Sequence, residues 1–277
     1  MAKLVKLNLF LSFRWKVVLL LGLYLLLLGI ARVILLRFAS EEVGANSWDL
    51  LIHSQGGLTV APELPLWQYA GWASSLVPLL FLAYQVTSFT TGYDAFLLTR
   101  SGSRARWWYG KLVAVMILAL LYSIGYGLIH FLVGLTFFGV TNEWSAYYPL
   151  AFPELAQHSM KPSFLLVMLQ LVFTLGAISL SLGVLTVALF LKNSVHAYLI
   201  GAALFFVAGG IYLKGLISKP WALFLYPSLI DSFQEGSSAT SIFMELLILN
   251  LGFIFCVLLL HVFVIRKYNL VIHGQLD

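Results

Sequence analysis

A short basic segment interrupts the apolar sequence at residues 97–112, which read Leu-Leu-Thr-Arg-Ser-Gly-Ser-Arg-Ala-Arg-Trp-Trp-Tyr-Gly-Lys-Leu. Four cations, Arg100, Arg104, Arg106 and Lys111, fall within twelve residues of a chain that is only 10% charged. Guanidinium and ammonium groups bind carboxylates and phosphates, so this segment could contact acidic residues of a partner protein or lipid headgroups. Basic residues beside apolar segments also indicate the cytoplasmic face of a membrane.

Motifs for nucleotide or metal chemistry are absent from the sequence. Gly110-Lys111 resembles the end of a phosphate-binding loop, but Leu112 stands where that loop requires Ser or Thr. There is no His-Glu-x-x-His zinc motif and no Gly-x-Ser-x-Gly nucleophile turn. We therefore expect that the chain is not an enzyme and holds no cofactor or metal of its own.

Two histidines, His130 and His261, are the ionisable groups deepest within apolar segments. A proton relay is one possible role for them, but a neutral histidine that is hydrogen-bonded to a neighbouring helix is the more common arrangement. Ser179 or Ser181 together with His261 could also form a hydrolytic pair. A membrane-embedded hydrolase is therefore a third-ranked alternative for the function.

The composition predicts an all-α polytopic membrane protein that forms one transmembrane domain over residues 1–277. The chain is 61% hydrophobic, with a mean hydropathy of +0.95. Long apolar runs predict six transmembrane helices, at residues 17–36, 67–89, 112–138, 163–191, 195–213 and 242–265. Residues 1–16 alternate lysines with leucines and predict an amphipathic interfacial helix. The segment at 214–241 is broken by prolines and glycines and predicts short interfacial or re-entrant helices.

The distribution of charge predicts the orientation. With both termini in the cytoplasm, eleven of the sixteen cations lie inside and eight of the eleven acids lie outside, which satisfies the positive-inside rule. Arg32 and Arg37, at the outer end of the first span, are expected to reach water. The net charge of +5 is explained by lipid contact and topology, so no nucleic-acid partner is expected. These features are typical of a multi-pass plasma-membrane protein.

Polar and small residues in the spans are candidates for a substrate path or a dimer interface, although packing within one subunit would also explain them. They are Gln85, Thr87, Gln170, Gly176, Ser179 and Gly183.

The basic segment resembles the signature loop of ABC-2 type transporter permeases. In that family a Leu-Leu-Ser-Arg-Pro-x-Ser-Arg-like sequence and a following Gly-Lys lead into the third of six spans. Residues 97–100, Ser103-Arg104 and 110–112 carry the resemblance, and Ser101 stands where the family commonly has proline. The interfacial N-terminus and the six predicted spans are also similar to that family.

The resemblance implies an exporter subunit that is driven by two separate cytoplasmic ATPases, which bind ATP and magnesium, and that works with a second permease copy or a related permease. The basic segment would form a coupling helix that contacts the ATPase through Asp94, Thr99, Arg100, Ser103, Arg104 and Arg106. Trp107, Trp108 and Lys111 would anchor it at the membrane interface. An amphipathic cargo, such as a peptide antibiotic, lipid or drug, fits the mostly uncharged spans. The alternative is a non-transporting subunit that senses an antimicrobial peptide or confers immunity to it.

Overall fold

The computed structural model describes residues 2–12, 15–40, 43–56, 66–87, 103–139, 141–158, 160–191, 194–213 and 239–267. Within these ranges the regular structure is helical and there is no strand. The helices are α1 (Ala2–Ser12), α2 (Trp15–Ala39), α3 (Ser47–Gln55), α4 (Leu66–Thr87), α5 (Arg104–Phe138), α6 (Tyr148–Ala151), α7 (Pro153–Ala156), α8 (Pro162–Leu191), α9 (Ser194–Leu213) and α10 (Ala239–Lys267).

Four of the described helices are long and apolar enough to cross a membrane: Trp15–Ala39, Ala105–Phe138, Pro162–Leu191 and Thr240–Ile265. The prediction of an all-helical membrane protein is therefore confirmed. Helices α4 and α9 form where the second and fifth spans were expected, but they are not among these four. The count of six spans thus stays a prediction. The proline-rich segment at 214–238 lies outside the described residues.

Helix α8 is the centre of the bundle. It packs against α3, α4, α5, α9 and α10. In its most apolar 18-residue stretch, 61% of the residues are buried, compared with 22% in the corresponding stretch of α2. Small residues allow this close packing: a Cβ on Gly201 of α9 would lie 3.1 Å from Val184 Cγ2 of α8. Helices α2 and α10 are peripheral, and their exposed leucines and phenylalanines form apolar faces of the kind that lipid covers.

The long helix α5 begins eight residues before the predicted span and ends at a glycine. Ser103 caps its first turn, with its side chain accepting a hydrogen bond from the backbone N–H of Arg106 at 3.1 Å. At the other end, Gly139 adopts φ = 76°, which an L side chain rarely adopts. Helix α1 packs against the first turns of α5. Consequently α1 covers the face of α5 that carries Gly110, while Arg106 stays exposed.

Helix α3 is short, and its sequence contains its own start signal. Asn46 and Asp49 form a capping box, in which each side chain accepts a hydrogen bond from the other residue's backbone N–H. Although it lies between the first two predicted spans, α3 packs against α2, α5 and α8.

The depth of α3 follows from its contacts with α5. Its first residue, Ser47, lies beside Gly134, and its last residue, Gln55, lies beside Gly127. Gly127 precedes the last residue of α5, Phe138, by eleven residues, which at the α-helical rise corresponds to about 16 Å. The carboxyl end of α3 therefore lies well inside the bundle rather than at the end of α5.

Candidate functional site

The coupling residues proposed from the sequence are only partly described. Asp94, Thr99 and Arg100 lie outside the described residues, and so do the side chains of Arg104 and Thr87. Ser103 caps α5, and Arg106 lies in the first helical turn with its side chain exposed. No acidic residue occupies this turn, so the positive end of the α5 dipole is next to positive side chains.

The predicted interface anchors Trp107, Trp108 and Lys111 are buried, with 3%, 1% and 1% of their surface exposed. Their role as membrane-interface anchors stays a prediction. Helix α1 lies close to this part of α5, since a Cβ on Gly110 would lie 3.1 Å from the Leu4 Cβ. The two tryptophans pack in a cluster to which leucines of α1 contribute.

Trp108 belongs to a hydrogen-bonded chain across three helices. Its indole N–H donates to His261 Nδ1 of α10 at 2.9 Å, and His261 Nε2 lies 3.0 Å from Thr186 Oγ1 of α8. Thr186 in turn donates to the Leu182 carbonyl at 2.8 Å. Since the indole can only donate, Nδ1 must accept and Nε2 must carry the proton. His261 is thus a neutral bridge between helices, with both ring nitrogens engaged.

Lys111 joins the two helices that flank the basic segment. Its ammonium donates to the carbonyl of Val86, near the end of α4, at 3.0 Å, and lies 5.0 Å from the ring centroid of Trp107. This bond ties the end of α4 to the second turn of α5. We call Lys111, Val86, Trp108, His261 and Thr186 the inner cluster.

A second polar cluster surrounds the carboxyl end of α3. Arg32 was expected to reach water, but this expectation is wrong, because the side chain is only 8% exposed. It donates to the Tyr126 hydroxyl and, at 2.8 Å, to the Gly71 carbonyl. Tyr126 then donates to the Ser54 carbonyl at 2.8 Å. The groups that accept from this buried cation are a phenol and a carbonyl, both neutral.

Gln170, a predicted path residue, holds the last side chain of α3. Its amide nitrogen donates to the Ser123 carbonyl at 3.1 Å and lies 3.2 Å from Thr174 Oγ1, which fixes the orientation of the amide. Its oxygen then accepts from Gln55 Nε2 at 2.8 Å. We call the surface of α2, α5 and α8 that contacts α3 the α3 groove.

Among the described residues, two buried polar atoms of α3 and α5 have no hydrogen-bond partner: Gln55 Oε1 and His130 Nε2. His130 Nδ1 lies 2.9 Å from the Tyr126 carbonyl and must donate to it, so Nε2 is an unused acceptor. Because Gln170 fixes the Gln55 amide, the free Gln55 oxygen cannot be removed by flipping that group. The polar contacts of this cluster are therefore incomplete.

The sequence profile of one family, described as "Protein of unknown function (DUF2705)", matches residues 51–271. The chain belongs to the DUF2705 family. No curated protein and no solved structure matches the chain. The DUF2705 match includes the whole inner cluster and most of the α3 groove, but not Arg32.

The remaining predicted path residues of this DUF2705 protein lie on α4 and α8, and their roles stay predictions. Ser179 Oγ donates to Asn250 Oδ1 of α10 at 3.4 Å. Gly176 and Gly183 lie three or four residues away on the same helix, and both are buried. Gln85, on α4, is half-buried.

The residues of the hydrolase alternative are not assembled into a catalytic pair. Ser181 donates to the Ala177 carbonyl of its own helix at 2.8 Å. Ser179 reaches Asn250, and His261 bonds to Trp108 and Thr186. Neither serine contacts the histidine that would have to activate it.

Sequence reasoning missed Arg32, Tyr126 and Gln55 as a connected group. The unusual polar content of the stretch 47–55, directly after a span, was the available signal. A capping box in front of Leu50 predicts a helix there, although it cannot predict where that helix packs.

Proposed function

We propose that the chain is the membrane-spanning permease subunit of an ATP-driven ABC transporter that exports an amphipathic compound. In this proposal it lies in the plasma membrane with six spans and both termini in the cytoplasm. Two cytoplasmic ATPase subunits bind ATP and magnesium, and a second permease copy or a related permease completes the path. The basic segment supplies the coupling helix.

The observation that carries the proposal is the tie between Lys111 and Val86 at the base of the basic segment. A coupling helix can transmit a push only if both of its ends are fixed to spans. The tie holds the end of α4 against the start of α5, so a displacement of residues 88–102 would move both helices together. The chain of Trp108, His261 and Thr186 would then pass that movement to α8 and α10.

The position of the cations gives further support. Arg104 and Arg106 lie in the first turn of α5, where the helix dipole disfavours positive charge by about 0.3–1 kcal/mol per group. Acidic residues on an ATPase, or anionic lipid, would compensate for this cost.

Co-purification tests the assembly. The chain, expressed with the ATPase genes from its genomic surroundings and extracted in mild detergent, is expected to retain an ATPase through gel filtration. If no ATPase is retained by the folded chain, the proposal fails.

Charge reversal tests the coupling surface. We expect Arg100→Glu combined with Arg104→Glu to reduce ATP-dependent transport by at least about tenfold while the protein still inserts into the membrane. The matched control is Lys3→Glu with Lys6→Glu, which reverses two exposed cations on α1. Equal transport by both double variants would exclude the basic segment as the coupling surface.

A further inference from the structure

Helix α3 buries its polar side chains rather than exposing them. Ser47, Asp49, Ser54 and Gln55 are 1%, 0%, 3% and 1% exposed. A short helix in a connection between spans would normally turn such groups towards water. Gln55 bonds to Gln170 of the α3 groove and Ser47 lies against Gly134, whereas Asp49 accepts from the backbone N–H of Asn46 and Ser54 donates to the Leu51 carbonyl.

The α3 groove is shaped to accept the backbone of a helix. Gly127 and Gly134 lie two helical turns apart on α5, and both are in contact with α3. A Cβ on Gly134 would lie 3.2 Å from Ser47 Cβ, and a Cβ on Gly127 would lie 2.7 Å from Gln55 Nε2. A side chain at Gly127 would push a bound helix away, whereas at Gly134 a small side chain needs its neighbours, at 3.2–3.4 Å, to move by only a few tenths of an ångström.

The polar contacts of the groove recognise features that many peptides share. Tyr126, held by Arg32, donates to a backbone carbonyl in the last turn of the bound helix. Such carbonyls are unpaired at the end of any helix and carry a partial negative charge. Gln170 accepts from a side-chain amide. None of these contacts requires that the bound helix be part of the same chain.

The fit of α3 to this groove is incomplete. Among the described residues, Gln55 Oε1 of α3 and His130 Nε2 of α5 are buried acceptors without a donor. Buried polar groups are nearly always paired in stable cores, so these two lower the preference for this arrangement. A ligand helix that lacks the Gln55 oxygen and donates to His130 Nε2 could replace α3.

We propose that the α3 groove is a binding site for an amphipathic helical peptide and that α3 fills it as an intramolecular occupant in the resting state. The inference rests on the proposed transport function and deepens it, because it makes the cargo a peptide rather than a lipid or drug. Release of α3 then exposes Arg32, Tyr126 and Gln170 to the incoming peptide.

A reversible crosslink tests whether α3 must leave. The single cysteine, Cys256, is exposed and is first replaced in the variant Cys256→Ser. Ser47→Cys and Gly134→Cys then place two thiols at a Cβ separation of 3.2 Å, close to the ~3.5–4.5 Å of a disulfide. Oxidation locks α3 in the groove and reduction frees it.

The probe is a fluorescein-labelled synthetic peptide with the sequence of residues 46–56, and its binding to the full chain in lipid nanodiscs is followed by anisotropy. We expect binding to the reduced protein and at least about a tenfold weaker affinity after oxidation, because a blocked site binds only in proportion to its open fraction. Equal affinity in the two states would overturn the proposal.

A second variant weakens the hold on α3 without changing the groove. Gln55→Leu removes the amide that Gln170 holds and is expected to raise the affinity for the peptide by about tenfold. The control, Gln157→Leu, changes an exposed glutamine outside the groove and is expected to bind like the wild type. Gel filtration and thermal unfolding identify the folded samples. No binding, or unchanged affinity, in folded Gln55→Leu protein would also overturn the proposal.

The binding assay contains no ATPase, so the two proposals can fail separately. If the peptide binds only to the reduced protein and no ATPase is ever retained, the transport role is refuted and the groove proposal stands. If an ATPase is retained but the disulfide does not change peptide binding, the groove proposal alone is refuted.

Discussion

The inner cluster and the α3 groove are both polar, both buried and both built on α5 and α8, but they differ in how completely their hydrogen bonds are made. In the inner cluster, the indole of Trp108, both nitrogens of His261 and the hydroxyl of Thr186 all have partners. In the α3 groove, Gln55 and His130 each keep a buried acceptor without a donor.

This difference separates a fixed region from one that can rearrange. A fully satisfied network holds one arrangement, because any movement breaks bonds that have no replacement. Opening an incompletely satisfied network costs less free energy, because fewer hydrogen bonds are broken. The α5–α8 pair is therefore expected to be rigid at the basic segment and to open first at the groove.

Removal of Trp108 should have the largest effect on stability. Trp108→Ala deletes a ring that is 1% exposed and leaves His261 Nδ1 without a donor, which should cost about 3–5 kcal/mol in the free energy of unfolding. Trp108→Phe keeps most of the ring and should cost about 1–2 kcal/mol. The measurement is reversible denaturant unfolding in detergent. Trp15→Ala, at a site that is 67% exposed, is the control and should have little effect; a similar loss in both alanine variants would contradict the description of the inner cluster.

A methyl group added in the α3 groove should lower the stability of the protein by an intermediate amount. Gly127→Ala places a Cβ 2.2 Å from Gln170 Oε1 and should destabilise the protein by about 1–3 kcal/mol, because the Gln55–Gln170 pair must separate. Gly125→Ala on the same helix meets nothing within 4 Å. It should stay within about 0.5 kcal/mol of the wild type. Hydrogen exchange of residues 47–55 should rise only in Gly127→Ala, and unchanged exchange there would argue against a separable α3.

Of the three changes considered, acidification should reduce the free energy of unfolding least. It acts through His53 of α3. Burial and the nearby Arg32 charge lower the pKa of His53 to about 4. Because this pKa is below that of the unfolded state, the stability due to neutral His53 is present above pH 6.5 and is lost as the pH falls towards 4.

Between pH 7 and 5, the wild type should lose about 1–2 kcal/mol relative to His53→Gln. Burial raises the pKa of Asp49, so its protonation has the opposite sign, and the comparison of variants removes this contribution. His196→Gln, at an exposed histidine, should follow the wild type. Parallel pH profiles for wild type and His53→Gln would show that α3 does not lose stability through this residue.

The apolar runs of the sequence predicted the helical membrane class, which the structure confirms. The third span was predicted from residue 112, but the helix begins at Arg104, capped by Ser103. The sequence did not predict the burial of side chains that are covered by a helix distant in the chain. Trp107 and Trp108 fit the pattern of interface anchors, and only the position of α1 shows that they are covered.

Hydrophobicity and charge along the chain determined by themselves that this protein is helical, suited to a membrane, and has a basic segment between two apolar helices. These properties depend on composition and on short-range periodicity, which one sequence displays. The tertiary structure alone decided that Arg32 turns inwards, that Lys111 ties α5 to α4, and that α3 lies within the bundle. The reason is that a polar group in an apolar bundle takes whichever partner folding brings within reach, and that partner can be a hundred residues away.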